Sequence, residues 1–98
     1  EIHGITIDSA RHEVLVDGIS VAFSATEFAI LRFIAEHPGW VFSSHQIIDA
    51  VKGEDYPVTA RSVDVQILGI RKKLGGKGVH VETVRGVGYV LEEPRQSL

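Results

Sequence analysis

An α+β domain is the fold class that this sequence predicts, on three observations. The first residues alternate apolar and polar side chains around an Asp-Gly pair, the middle holds three segments of helical spacing that each follow a capping signal, and the end returns to β-prone residues around two glycines. With 98 residues, of which 44% are hydrophobic and 23% charged, the chain is long enough for one core and too short for two. A single domain over 1–98 is expected.

The elements follow in order. Ile5 and Ile7 alternate with Thr6 and Asp8, and Val14-Leu15-Val16, Asp17-Gly18 and Ile19-Ser20-Val21 read as strand, tight turn and strand. Together they predict an N-terminal antiparallel β-sheet. Ser24 stands three residues before Glu27, a capping box, and Phe28, Ile30, Leu31, Ile34 and Ala35 then recur at helical spacing until His37-Pro38-Gly39. Trp40-Val41-Phe42 is long enough only for a strand stub, with Trp40 as a packing residue. Ser43 to Gln46 offers a second capping box ahead of Ile47, Ile48 and Val51, which predicts a short helix ending near Lys52-Gly53. Glu54 to Pro57 reads as a loop, because proline excludes its predecessor from helix.

A third helix is predicted over about 60–74 from a Thr59 cap. On a wheel of about 100° per residue Val63, Ile67, Ile70 and Leu74 fall within about 60° and form the buried stripe. Arg61, Ser62, Val65, Leu68, Gly69 and Lys72 point the other way, a basic, hydroxyl and apolar face with no acid on it. Asp64 lies to one flank, where its charge suits the amides of the first helical turn. Gly69 within the helix is expected to cost about 1 kcal/mol relative to alanine, so that Gly69→Arg should stabilise it by roughly several tenths of a kcal/mol. After Gly75-Gly76-Lys77-Gly78, a hairpin is predicted over 79–91 with Arg85-Gly86-Val87-Gly88 at its turn.

Sheet, three helices and a closing hairpin are the element order of a winged helix-turn-helix, in which the last helix enters the major groove of duplex DNA and the hairpin is the wing. The formal net charge is −3, but it is unevenly placed. Residues 1–58 hold nine acids against three bases, whereas 59–91 hold six bases against two acids, so the positive charge gathers on the last helix and hairpin. Other classes lack their residues. Cysteine is absent, no apolar run reaches membrane length, and the start Glu1-Ile2-His3-Gly4 lacks the basic and apolar regions of a signal peptide. Ser44, His45 and Asp49 share one short helix and cannot converge on a substrate, and Gly86 and Gly88 read as a turn rather than a phosphate cradle. The five histidines show no H-x-x-x-H spacing and read as scattered surface residues. No enzyme activity, cofactor or metal is expected.

Two stretches carry a family resemblance. Arg61-Ser62-Val63-Asp64-Val65 and Thr83-Val84-Arg85-Gly86-Val87-Gly88-Tyr89, supported by Val14 to Gly18, Thr26-Glu27-Phe28, His37-Pro38-Gly39 and Ile70 to Leu74, resemble the OmpR/PhoB-type effector domain of bacterial response regulators over about residues 5–91. The resemblance implies a cytoplasmic transcription factor of a two-component system that binds double-stranded DNA. It implies Arg61 and Ser62 on phosphates, Val65 and Gln66 near base edges, Arg71 at the groove margin, and Thr83, Arg85 and Tyr89 in the wing. It further implies head-to-tail pairing on direct repeats, a contact with RNA polymerase through Lys52, Gly53, Glu54, Asp55, Tyr56, Pro57 and Val58, and a receiver domain ahead of this one. The chain begins at Glu1 without methionine, which fits a segment of a longer polypeptide. Where the family usually has basic residues, positions 68 and 69 are Leu68 and Gly69. Lys52 likewise replaces a common tryptophan, and Trp40 a polar or basic residue. These departures bear on affinity and base preference, and with the net charge they raise a second reading, a winged helix that binds protein instead of DNA.

Overall fold

The computed structural model describes residues 2–51 and 59–93. Strands β1 (Ile5–Asp8), β2 (Glu13–Val16) and β3 (Ile19–Val21) precede helices α1 (Ala25–Ala35), α2 (Ser44–Val51) and α3 (Ala60–Leu74), and β4 (Val81–Val84) and β5 (Gly88–Leu91) close the chain. The first three strands form an antiparallel sheet in the order β1-β2-β3, with Ile5 opposite Val16 and Val14 opposite Val21. Asp17 and Gly18 both take positive φ, 51° and 84°, the backbone a two-residue hairpin requires. One face of this sheet carries Ile5 and Val14 into the core, with Ile7 and Val16 packed beside them.

Each helix begins with a reciprocal cap. The Ser24 and Glu27 backbone amides bond each other's side chains at 2.9 and 3.1 Å, those of Ser43 and Gln46 at 2.8 and 3.1 Å, and those of Thr59 and Ser62 at 2.9 and 3.1 Å. These bonds satisfy amides that a helix start otherwise leaves orphaned. The helices converge through Phe28, Ile30, Leu31 and Ile34 of α1, Ile47 and Val51 of α2, and the expected stripe Val63, Ile67, Ile70 and Leu74 of α3.

The closing hairpin docks on that core through Val81 and Leu91 and through the stub before α2. Phe42 and Tyr89 exchange two backbone hydrogen bonds of 2.8 Å, so the stub predicted at Trp40-Val41-Phe42 is a bridge to β5. Gly88 makes this approach possible, because a Cβ there would run into the Phe42 carbonyl. The hairpin begins at Val81 rather than at residue 79. Gly78 lies so close beneath the Arg71 backbone that a Cβ would collide with it, and residues 75–80 wind into a 3-10 turn that draws Val79 and His80 out of the strand.

Candidate nucleic-acid interface

α3 buries one face and leaves the other bare. Val65 and Leu68 are each 62% exposed, one helical turn apart on the outward side. Arg61 and Lys72 are exposed on the same side, and neither has a side-chain partner among the described residues. Beside Leu68 lies a shallow recess, bordered by Leu68, Gly69, Arg71 and Lys72. Gln66 is half-buried on the flank, and Arg85 stands exposed at the hairpin turn, also unpartnered among the described residues.

The other predicted site residues are engaged within the fold. The Ser62 hydroxyl accepts from the Thr59 amide and donates to the Thr59 carbonyl at 2.9 Å, so its proton is already committed to the cap. Arg71 is drawn off the outward face: its Nε donates to the Val81 carbonyl at 2.8 Å and an Nη to the Thr83 hydroxyl at 2.6 Å. Tyr89 is only 8% exposed, and its hydroxyl donates to Asp64. Burial, and then the bond to this carboxylate, push the phenol up to about 12. Asp64 therefore does not serve the first turn of α3 as expected; it lies a turn further on and holds the wing. Arg71–Thr83 and Asp64–Tyr89 together fasten hairpin to helix.

Gly69 also departs from expectation. A Cβ there would meet the carboxylate of Glu27, the cap residue of α1, which is itself buried and paired with Lys73. Burial pushes the Glu27 carboxyl up, but the hydrogen bond and charge of Lys73 and the Ser24 amide outweigh it and leave the group below its ordinary 4.5. This neighbour offsets the gain expected for Gly69→Arg, because any side chain at 69 must displace an anchored carboxylate. Sequence periodicity gave Glu27 its place in a cap, but no local signal links it to Lys73, 46 residues away.

The histidines are less scattered than their spacing suggests. His3 stacks on His80 with centroids 3.8 Å apart, and the two rings bond the carbonyl and carboxylate of Glu92 at 2.8 and 3.0 Å, which joins the chain's start to the hairpin's end. His12 stacks on Phe28, and His37 packs among Phe33, Trp40 and Phe42. Trp40, expected as a packing residue, is 60% exposed, with its ring against those of His37 and Phe42. Among the described residues no group of three His, Cys, Asp or Glu could hold a metal ion, and no helix is long and apolar enough to cross a membrane. The segment from Lys52 to Val58 predicted to touch the polymerase lies outside the described residues.

A bare, partly basic helix fastened beside a glycine-turned hairpin, on a core of three helices, defines a winged helix-turn-helix domain. The family model described as "Transcriptional regulatory protein, C terminal" matches residues 18–91, and the chain belongs to this family. It is 41% identical over 88 residues to the transcriptional regulatory protein VxrB of Vibrio cholerae and 38% identical over 91 residues to the phosphate regulon regulator PhoB of Escherichia coli. These matches cover 90% and 91% of this chain but only 35% and 40% of the two relatives. Among solved structures, the DNA-binding domain of the response regulator AdeR, in complex with an intercistronic region, superposes with a TM-score of 0.82 at 31% identity, covering 96% of this chain and 99% of that one. The Klebsiella pneumoniae RstA DNA-binding domain, in complex with the RstA box, gives 0.79 at 32% identity and 94% coverage of both chains.

Proposed function

We propose that this domain binds double-stranded DNA with sequence preference, laying α3 in the major groove and the β4–β5 hairpin on the neighbouring backbone or minor groove. The observation that carries the reading is the state of the charges around α3. The carboxylates flanking it are tied, Asp64 to Tyr89 and Glu27 to Lys73, whereas Arg61, Lys72 and Arg85 are exposed and unpartnered among the described residues. Such a surface attracts phosphate despite the chain's net charge of −3. The roles divide accordingly. Arg61, Lys72 and Arg85 meet phosphates; Val65, Gln66, Leu68 and the backbone at Gly69 face base edges; Ser62, Arg71, Thr83 and Tyr89 set the pose of helix and wing. The domain acts by binding and not by catalysis.

In the same reading the domain is the C-terminal effector of a longer cytoplasmic response regulator with a receiver ahead of it. This is supported by the fraction of each relative that it spans. Alone it is a monomer; on DNA it pairs head to tail over direct half-sites about one helical turn apart and meets RNA polymerase through residues 52–58. Titration of a labelled duplex at several salt concentrations tests the DNA reading. Arg61→Ala and Arg85→Ala should each reduce the slope of log affinity against log salt by about 0.9. Indifference of the wild-type domain to duplex DNA at low salt would favour the second reading, a protein-binding winged helix, to which exposed Val65 and Leu68 lend themselves.

A further inference from the structure

We infer that the outward face of α3 reads the C5-methyl group of pyrimidines, and that Leu68 is the residue that does so, in thymine and equally in 5-methylcytosine. The inference rests on the DNA-binding reading and goes beyond it by naming what is recognised. Across the middle of the face, between Arg61 and Lys72, the exposed side chains are Val65 and Leu68, both 62% exposed and both wholly apolar. The arginine nearest the middle, Arg71, is turned into its bonds with Val81 and Thr83. The commonest specific major-groove contact, a guanidinium on the Hoogsteen edge of guanine, is therefore lacking at the centre of the helix.

The chemistry left at that centre is burial of carbon against carbon. In the major groove the one apolar group that distinguishes base pairs is the pyrimidine C5-methyl. Leu68 has the space to take it, because it borders a shallow recess whose other sides are Gly69, Arg71 and Lys72. At Gly69 the volume a side chain would occupy is taken by Glu27, anchored by Lys73 and the Ser24 amide. Lys72 at its rim suits the phosphate beside the base. A methyl group seated on Leu68 removes apolar surface from both partners.

The test begins with a duplex pool carrying a random central segment, from which the wild-type domain enriches its preferred site. Each thymine of that site is then replaced in turn by deoxyuridine, which lacks only the methyl. For at least one position wild-type affinity should fall about fourfold, the equivalent of one buried methyl group. Leu68→Ala, a change at an exposed position, should bind thymine and deoxyuridine duplexes alike at that position. Cytosine placed there should bind wild type more weakly than 5-methylcytosine, again by about fourfold. Enrichment of a site with no deoxyuridine effect, or an effect that persists unchanged in Leu68→Ala, overturns methyl reading while leaving DNA binding intact. A domain that retains no duplex and enriches nothing overturns both.

Discussion

On the outward face of α3, Arg61, Val65, Leu68 and Lys72 stand in solvent without side-chain partners among the described residues. In the hairpin beside it, Thr83 and Tyr89 are held by Arg71 and Asp64 of that same helix. The two regions belong to one surface, yet they are built differently. A side chain that is to meet a base edge is most useful when nothing in the protein competes for it. A wing works only if its position relative to the helix is fixed, and a two-stranded hairpin has too little area to fix itself. Substitution on the helix face should therefore alter binding with little change in stability, and substitution at the hairpin's anchors should alter stability first.

The largest expected effect is at the hairpin's closest approach. Gly88→Ala forces a Cβ against the Phe42 carbonyl and parts the paired backbone bonds to Tyr89, and should cost about 3 kcal/mol in a urea unfolding measurement. A loss under about 1 kcal/mol would mean the hairpin is not held by this bridge.

Tyr89→Phe should cost about 1.5 kcal/mol, since it deletes a bond to a charged acceptor while keeping the ring in the core. It should also change the response to alkali. The Tyr89 phenol lies above its ordinary 10, at about 12, so the stability it contributes is fully present below pH 10 and is lost as pH rises through 12. Unfolding free energy should decline across that window in the wild type and decline less in Tyr89→Phe; parallel declines would place Tyr89 elsewhere.

At the other end of α3 the effect is smaller. Lys73→Met should cost about 1 kcal/mol at neutral pH, because Glu27 keeps the Ser24 amide but loses its cation. The Glu27 carboxyl lies below its ordinary 4.5 when folded, so its contribution is present above that pH and is lost as pH falls through the folded value. Carboxyl titration followed by NMR should show Glu27 protonating at higher pH in Lys73→Met than in wild type. Identical titrations would remove the pair.

The smallest change is the most informative about the helix face. Helix propensity alone favours Gly69→Ala by about 1 kcal/mol, but the new Cβ must push aside the Glu27 carboxylate. The two should nearly cancel in the wild type, and the gain of about 1 kcal/mol should emerge when the substitution is made in a Glu27→Ala background. Equal gains in both backgrounds would show that nothing stands over Gly69.

The sequence by itself determined the elements, their order and the surface that α3 exposes. Caps, turns and periodicity are local: Ser24 and Glu27, Asp17 and Gly18, and the stripe Val63, Ile67, Ile70 and Leu74 lie within a few turns of chain, where spacing dictates geometry. The tertiary structure alone decided which of the outward-looking residues were free. Arg71, Thr83, Tyr89 and Asp64 look on a helical wheel or a strand ladder as available as Arg61 or Lys72. Their partners lie on elements 10 to 25 residues away, and no periodicity reports a hydrogen bond between a helix and a hairpin. Glu27 over Gly69 is the extreme case, since a glycine's exposure on a wheel describes only its own helix. What occupies the space above it was settled by how α1 packs across α3.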